Sequence, residues 1–415
     1  MDLNKPELVM IVGSGASIPC GIPSTSDLTN IAIECLPTVV KKPPVAYVTA
    51  AGSHLSGMQT QTNLAMPLLE GLNGAFASVD FELIIHALLQ LEHYAIDWER
   101  SSPDLRPVMT AFTDLLRRFD LLGHRGVLSV ARHQIVNAIH KDIAAKCSQT
   151  YSQDDSNARA AQEAFIRRLS EHFRLVVIDL NYDDLLDRIA IGWSDGFTKI
   201  GKQNYALFRP EQWAKALAEK EHLLIHLHGS VRYGHYDLKD PKFITMHEPA
   251  KYDDPREAAG TFAGVSKSEP TAAGANVSAF LFITALDKAA RLAHNVRPLG
   301  YQNVEAMLAL ARIPRLLVIG YGGRDPHLEA WIEEHQAIHG EGRRAVALSR
   351  LQSGLEPGHP LERLLTGLAK PQHLPDLSAD VDAPFRKLGP LVLFPNGVPS
   401  AYAHADAIID HFLQA

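Results

Sequence analysis

Five short apolar runs punctuate this chain, and none follows the 3.6-residue period of a helix. The first is Glu7–Val12, which stops at Gly13-Ser14-Gly15. The others lie in "RLVVIDLNYDD" (Arg174 to Asp184), "HLLIHLHGS" (His222 to Ser230), "RLLVIGYGGRDPHL" (Arg315 to Leu328) and "RAVALSR" (Arg344 to Arg350). Each run is rich in Leu, Val or Ile and ends in glycine or polar residues, which reads as a buried strand feeding a loop. Helix-like sequence follows after Gly13, Asn181 and Gly323. Strands that are apolar throughout, separated by helical stretches, predict an α/β fold: a doubly wound, Rossmann-like parallel sheet covered on both faces.

About 160 residues separate the first strand from the second, and much of that interval carries a helical stripe. Phe81 is followed by Ile84, Ile85, Leu88 and Leu89, with Asp80 placed as N-cap; Val127 is followed by Val130, Ala131, Ile135, Ala138 and Ile139. The pattern predicts helices near 80–94, 108–121, 125–147 and 158–173, forming a helical insertion at 37–173. The sheet domain then takes 1–36 and 174–400, and 401–415 forms a C-terminal helix. The Pro-, Gly-, Ser- and Thr-rich stretch 37–78 is expected to be irregular. So is 248–276, as a lid or a disordered loop. Another strand is expected at Leu391 to Phe394, and a helix from Ala401.

Composition narrows the classes. The chain has 415 residues, 46% hydrophobic and 21% charged, as in an ordinary globular protein, and its size suits two domains or one with an insertion. No run is long enough for a membrane span and the N-terminus does not resemble a signal peptide, so a cytoplasmic location is expected. The three cysteines Cys20, Cys35 and Cys147 form no C-x-x-C pair, which argues against a disulfide framework and a zinc site; no metal is expected. A formal net charge of −7 supplies no general attraction to nucleic acid.

The first strand-to-helix turn of a doubly wound sheet is the usual phosphate site. There Gly13 is expected to permit the tight turn and Gly15 to let backbone approach a pyrophosphate, with amides near a helix start attracting the anion. The third glycine of the dinucleotide fingerprint is missing, since Ile18 stands in its place. The string Gly13-Ser14-Gly15-Ala16-Ser17-x-x-x-Gly21-Ile22-Pro23 instead resembles the first nucleotide-binding motif of the sirtuin superfamily, G-A-G-x-S-x-x-x-G-I-P, with Ser14 in place of alanine.

Three further strings fit that resemblance, in the family's order. "LNYDDLLD" supplies Asn181 and Asp183, "HLHGS" supplies His228 and Gly229, and "VIGYGGRDPHL" supplies Gly320, Tyr321 and Gly322, with Ser349 following the last strand where the family approaches the adenosine ribose. Taken alone, Asn181 also reads as an N-cap of the next helix. His226 and His228 are expected to point to opposite faces, His226 as a hydrogen-bonded core residue and His228 as the functional one.

The resemblance implies a pocket for NAD+ as substrate, held by Gly13, Ser14, Gly15, Ala16, Ser17, Pro23, Asp183, Gly229, Gly320, Tyr321, Gly322 and Ser349. It implies that Asn181 positions water and nicotinamide and that His228 is the base. Deacylating sirtuins carry a zinc module held by two C-x-x-C pairs after the His-Gly strand; this chain has no cysteine beyond Cys147, which moves the expectation from deacylation to cleavage of NAD+ into ADP-ribose and nicotinamide. With the helical insertion and the "DFE" string Asp80-Phe81-Glu82, the chain is similar to sirtuin-like NADases of bacterial anti-phage defence. That likeness implies a homo-oligomer or a partner such as a HerA-type ATPase, with no membrane and no direct nucleic-acid binding. The alternatives are an NAD or ADP-ribose sensor without hydrolysis, a deacylase or ADP-ribosyltransferase, and an NAD(P)-dependent oxidoreductase using Glu34 as its acidic residue.

Overall fold

A computed structural model describes residues 5–41, 80–88, 90, 125–152, 157–199, 201–238, 246–259, 296–350, 360–369 and 385–414. Its strands are β1 (Glu7–Val12), β2 (Arg174–Asp179), β3 (Phe197–Lys199), β4 (Tyr205–Phe208), β5 (Leu223–His226), β6 (Tyr233–Leu238), β7 (Met246–Tyr252), β8 (Arg315–Ile319), β9 (Arg344–Leu348), β10 (Arg386–Leu388) and β11 (Leu391–Phe394).

Seven of them form one sheet in the order β10-β11-β9-β8-β1-β2-β5. Every pairing in it is parallel except that of the edge strand β10 with β11. The continuous apolar runs follow from burial on both faces. On β1, Val9 and Ile11 enter one core while Leu8, Met10 and Val12 enter the other; β2 divides in the same way, with Val176 and Ile178 opposite Leu175 and Val177. The alternation is that of the pleat, with apolar residues in both phases.

Helices cover the two faces. Leu28 and Ala32 of Thr25–Lys41, Phe81, Ile84, Ile85 and Leu88 of 81–88, and Ile135, Ile139, Ile143 and Cys147 of Arg125–Ser152 pack on the first face. Phe165, Ile166 and Leu169 of Asn157–His172 pack on the second, beside Ile408, Ile409 and Phe412 of Ala405–Leu413. Asp80 caps helix 81–88 as expected, accepting a hydrogen bond from the Leu83 amide at 3.0 Å.

Several expectations change. The helix Thr25–Lys41 continues through positions 37–41, where an irregular segment is expected. Positions 248–252 belong to β7, and 255–259 are helical. The C-terminal part holds two helices, Val398–Tyr402 and Ala405–Leu413, in place of one from Ala401. On the long helix the buried stripe runs Ile135, Ile139, Ile143, Cys147, and Ala138 is only half-buried. The expected helix at 108–121, and positions 42–78 and 260–276 of the two expected irregular stretches, lie outside the described residues.

A second, antiparallel sheet, β3-β4-β7-β6, has no counterpart in the sequence reading. Its strands are short or polar, "FTK", "YALF", "YGHYDL" and "MHEPAKY", and present no apolar run of the kind that marks the main sheet. Among the described residues no helix is long and apolar enough to cross a membrane.

Candidate functional site

In the main sheet the chain steps outward from β1 through β2 to β5, then reappears on the other side of β1 as β8. This reversal opens a crevice at the carboxyl ends of β1 and β8, where open α/β sheets bind ligands. A cleft of about 970 Å³ lies there. Gly13, Ser14, Gly15, Ser17, Pro23, Asn181, Asp183, His228, Gly320, Tyr321, Gly322 and Ser349 all line it. Ala16 and Gly229 do not. Ala16 is turned into the core beneath the sheet, and Gly229 is a turn residue at φ +92° whose amide bonds the His226 carbonyl at 3.2 Å.

The glycines of the first loop meet the loop after β8. Gly13 is extended (φ −112°, ψ 179°), a conformation open to any residue. A Cβ on it, however, would lie 2.8 Å from the Cα of Tyr321, and a Cβ on Gly15 would lie 2.8 Å from the Cα of Gly320. Gly320 itself sits at φ +61°, where a Cβ would stand 2.4 Å from the Ala16 amide nitrogen. The three glycines therefore let the β1 and β8 loops meet backbone to backbone. The amides follow the same logic: Gly13 donates to the Ile319 carbonyl at 2.8 Å and Gly15 to the Gly320 carbonyl at 2.9 Å. Those of Ala16 and Ser17 close 3-10 turns onto Gly13 and Ser14. These four amides are engaged within the protein.

Other polar groups line the cleft as well. Ser24 and Asp27 form a capping box, with Ser24 Oγ to Asp27 Oδ2 at 2.7 Å and the Asp27 amide to Ser24 Oγ at 3.2 Å, so the start of the helix Thr25–Lys41 opens on the cleft beside Ser24, Thr25 and Ser26. The exposed guanidinium groups Arg324 and Arg350 line it too. The sequence signal for the first was the S-x-x-D string; the arginines carried none.

Asn181 does not cap the following helix. Its Nδ2 donates to the Gly13 carbonyl at 3.2 Å and to Ser17 Oγ at 3.0 Å, while its own amide bonds Asp179 Oδ1. With both Nδ2 hydrogens engaged, Oδ1 is the atom that can accept from a ligand or water. Asp183 takes the role near the helix start, accepting from the Leu185 amide at 3.0 Å, and also bonds the Ser17 hydroxyl. Burial, reinforced by the neighbouring Asp179 charge, raises the Asp183 carboxyl to about 7.

Residues two apart on a strand share a face, so the expected divergence of His226 and His228 cannot come from strand alternation. It arises because β5 ends at His226 and the chain turns at 227–228. His228 then lines the cleft with Nδ1 3.3 Å from the Leu180 carbonyl. A carbonyl can only accept, so Nδ1 carries the hydrogen, which leaves Nε2 as the ring atom able to accept a proton.

His226 points instead into a buried ionic cluster, 3.4 Å from Asp179 and 3.2 Å from Asp187. Lys251 of β7 closes the cluster with ion pairs to Asp187 and Asp195, tying the second sheet to the first. Burial alone would lower the His226 ring, but the carboxylates of Asp187 and Asp179 dominate and raise it to about 9. Asp187 is held well below the usual carboxylate range, since Lys251, His226 and Arg232 outweigh its burial.

The "DFE" segment also reaches the cleft. Phe81 meets Tyr182 edge to face at 6.4 Å and the Tyr182 hydroxyl donates to Glu82 Oε1 at 2.8 Å, which locks helix 81–88 onto the N-Y-D turn. Glu34, the acidic residue an oxidoreductase would need, lies exposed on the helix Thr25–Lys41 and not among the cleft residues.

Fold and crevice together define a Rossmann-like α/β protein with its open site at the switch point of the sheet. Within it, residues 175–363 match the SIR2-like domain family. SIR2-like domains as a class use NAD+. The matched segment contains Asn181, His228 and Gly320–Gly322, while the β1 loop precedes it. No curated protein gives a significant match to the chain.

Proposed function

We propose that this protein is an NAD+ glycohydrolase that converts NAD+ and water to ADP-ribose, nicotinamide and a proton. The observation that carries the reading is the convergence of Asn181, from the end of β2, and His228, from the turn after β5, on one cleft with the loops that follow β1 and β8. The nicotinamide–ribose bond breaks through an oxocarbenium-like transition state, its electron pair leaving with the nicotinamide nitrogen. Asn181 Oδ1 orients the attacking water at the anomeric carbon, and His228 Nε2 takes up its proton.

The likeness to sirtuin-like NADases of anti-phage defence supports an effector role in which NAD+ loss halts the infected cell. Activation by assembly or by a partner, such as a HerA-type ATPase, belongs to the same reading. The test is incubation of the purified chain with NAD+, alone and with its genomic neighbour, followed by chromatography. Nicotinamide and ADP-ribose are expected in equal amounts, with loss of both in Asn181→Ala and His228→Ala. Absence of product in every condition, or undiminished rates in both folded variants, overturns the proposal.

A further inference from the structure

The cleft crosses the sheet along its carboxyl edge, from β5 and β2 on one side to β9 and β11 on the other. With strands about 4.8 Å apart, the three steps from β2 to β9 span about 14 Å. If the reacting end lies at Asn181 and His228, the far ribose of an extended dinucleotide lies over Ser349 and Arg350.

That corner has an unusual inventory. Ser349 is 5% exposed, lines the cleft, and its Oγ makes no hydrogen bond among the described residues. A buried hydroxyl left in that state costs stability unless a ligand satisfies it. Beside it, Arg350 lines the same corner with an exposed guanidinium and no ion pair to a described carboxylate. Asn396, bridged to Arg350 through the backbone, completes it with a further polar side chain. The acidic cleft residues lie elsewhere: Asp183 follows β2, Asp80 and Glu82 lie against the N-Y-D turn, and Asp325 precedes the helix after β8. An NAD+-selective Rossmann site places a carboxylate on the 2′-hydroxyl of this ribose, whereas an arginine there accommodates a 2′-phosphate.

We infer that Ser349, Arg350 and Asn396 form a subsite for a phosphate on the 2′ position of the distal ribose, so that the cleft takes the 2′-phosphorylated dinucleotide, NADP+, as well as NAD+. The inference rests on the dinucleotide reading of the cleft and adds a substrate class to it. The Arg350 fork binds the phosphate oxygens and Ser349 Oγ donates to the 2′ oxygen. The bond broken is unchanged, and the product from NADP+ is 2′-phospho-ADP-ribose with nicotinamide.

The decisive measurement is calorimetric titration of the full chain with adenosine 2′,5′-bisphosphate and with adenosine 5′-monophosphate, which needs no catalysis. The bisphosphate is expected to bind at least about tenfold more tightly, the effect of one charge-assisted contact. Arg350→Gln is expected to bring the ratio near one, and Arg350→Lys to retain part of it. Equal affinity for the two nucleotides, or a preference that survives in Arg350→Gln, overturns the subsite while leaving the dinucleotide reading intact. Failure of both nucleotides to bind overturns the two together.

Discussion

The side-chain amide of Asn181 donates to Ser17 Oγ at 3.0 Å, and so joins the turn after β2 to the loop after β1 across 164 positions of sequence. The same nitrogen bonds the Gly13 carbonyl. Asn181→Ala is expected to lower kcat for NAD+ cleavage about 100-fold or more, the scale of losing one aimed polar group at a reacting centre. Asn181→Asp sets an acceptor against the Gly13 carbonyl, and is expected to lose both activity and melting temperature. Steady-state kinetics beside thermal melts distinguish the two effects.

His228→Ala is expected to reduce turnover by about 10² to 10⁴, the range for loss of a general base. His228→Gln keeps a hydrogen-bonding side chain without a proton acceptor of comparable basicity. It should bind adenosine nucleotides as the parent does while failing to release nicotinamide, which calorimetry and chromatography report separately.

Two nearby glycines are expected to respond in opposite ways. Gly320→Ala forces a Cβ to 2.4 Å from the Ala16 nitrogen at a positive φ, and should destabilise the protein by about 2 kcal/mol or more. Gly322→Ala meets nothing within 4 Å and should leave stability within about 0.5 kcal/mol of the parent. Denaturant unfolding checks both.

Asp183 binds its proton more tightly in the folded state, at about 7, than an exposed aspartate at 3.8. Between these values the folded state holds more protons than the unfolded one, so this group makes stability fall as pH rises from about 4 to 7. Asp183→Asn keeps an acceptor oxygen for the Leu185 amide and removes the titration. The variant should show a flatter stability profile across that window and a higher melting temperature than the parent at pH 8.

His226 has the opposite sign. Its folded value of about 9 exceeds the usual 6.5, so its contribution is complete below about 6.5 and is lost as pH rises through about 9. Thermal melts from pH 7 to 10 should show that loss, and His226→Leu should lack it. The variant leaves Asp179 and Asp187 without their shared cation at pH 7, at a cost of about 3 kcal/mol or more.

What the linear chain determined is what depends on local pattern. Apolar runs without helical period marked β1, β2, β5, β8 and β9, because strands buried on two faces have no polar phase. Helix 81–88 announced itself through Asp80 and its apolar stripe, and four short strings at strand ends hold about half of the residues that line the cleft. Tertiary structure decided the rest, because the deciding contacts join distant positions. The use of Gly13, Gly15 and Gly320 became evident only when the β1 and β8 loops met, and the choice between capping and cleft for Asn181 only when Ser17 came within 3.0 Å. The second sheet, whose strands are short or polar, became evident only in three dimensions, where Lys251 of β7 pairs with Asp187. Arg350 has no motif around it; its place opposite Asn181 and His228 comes from the order of strands in the sheet.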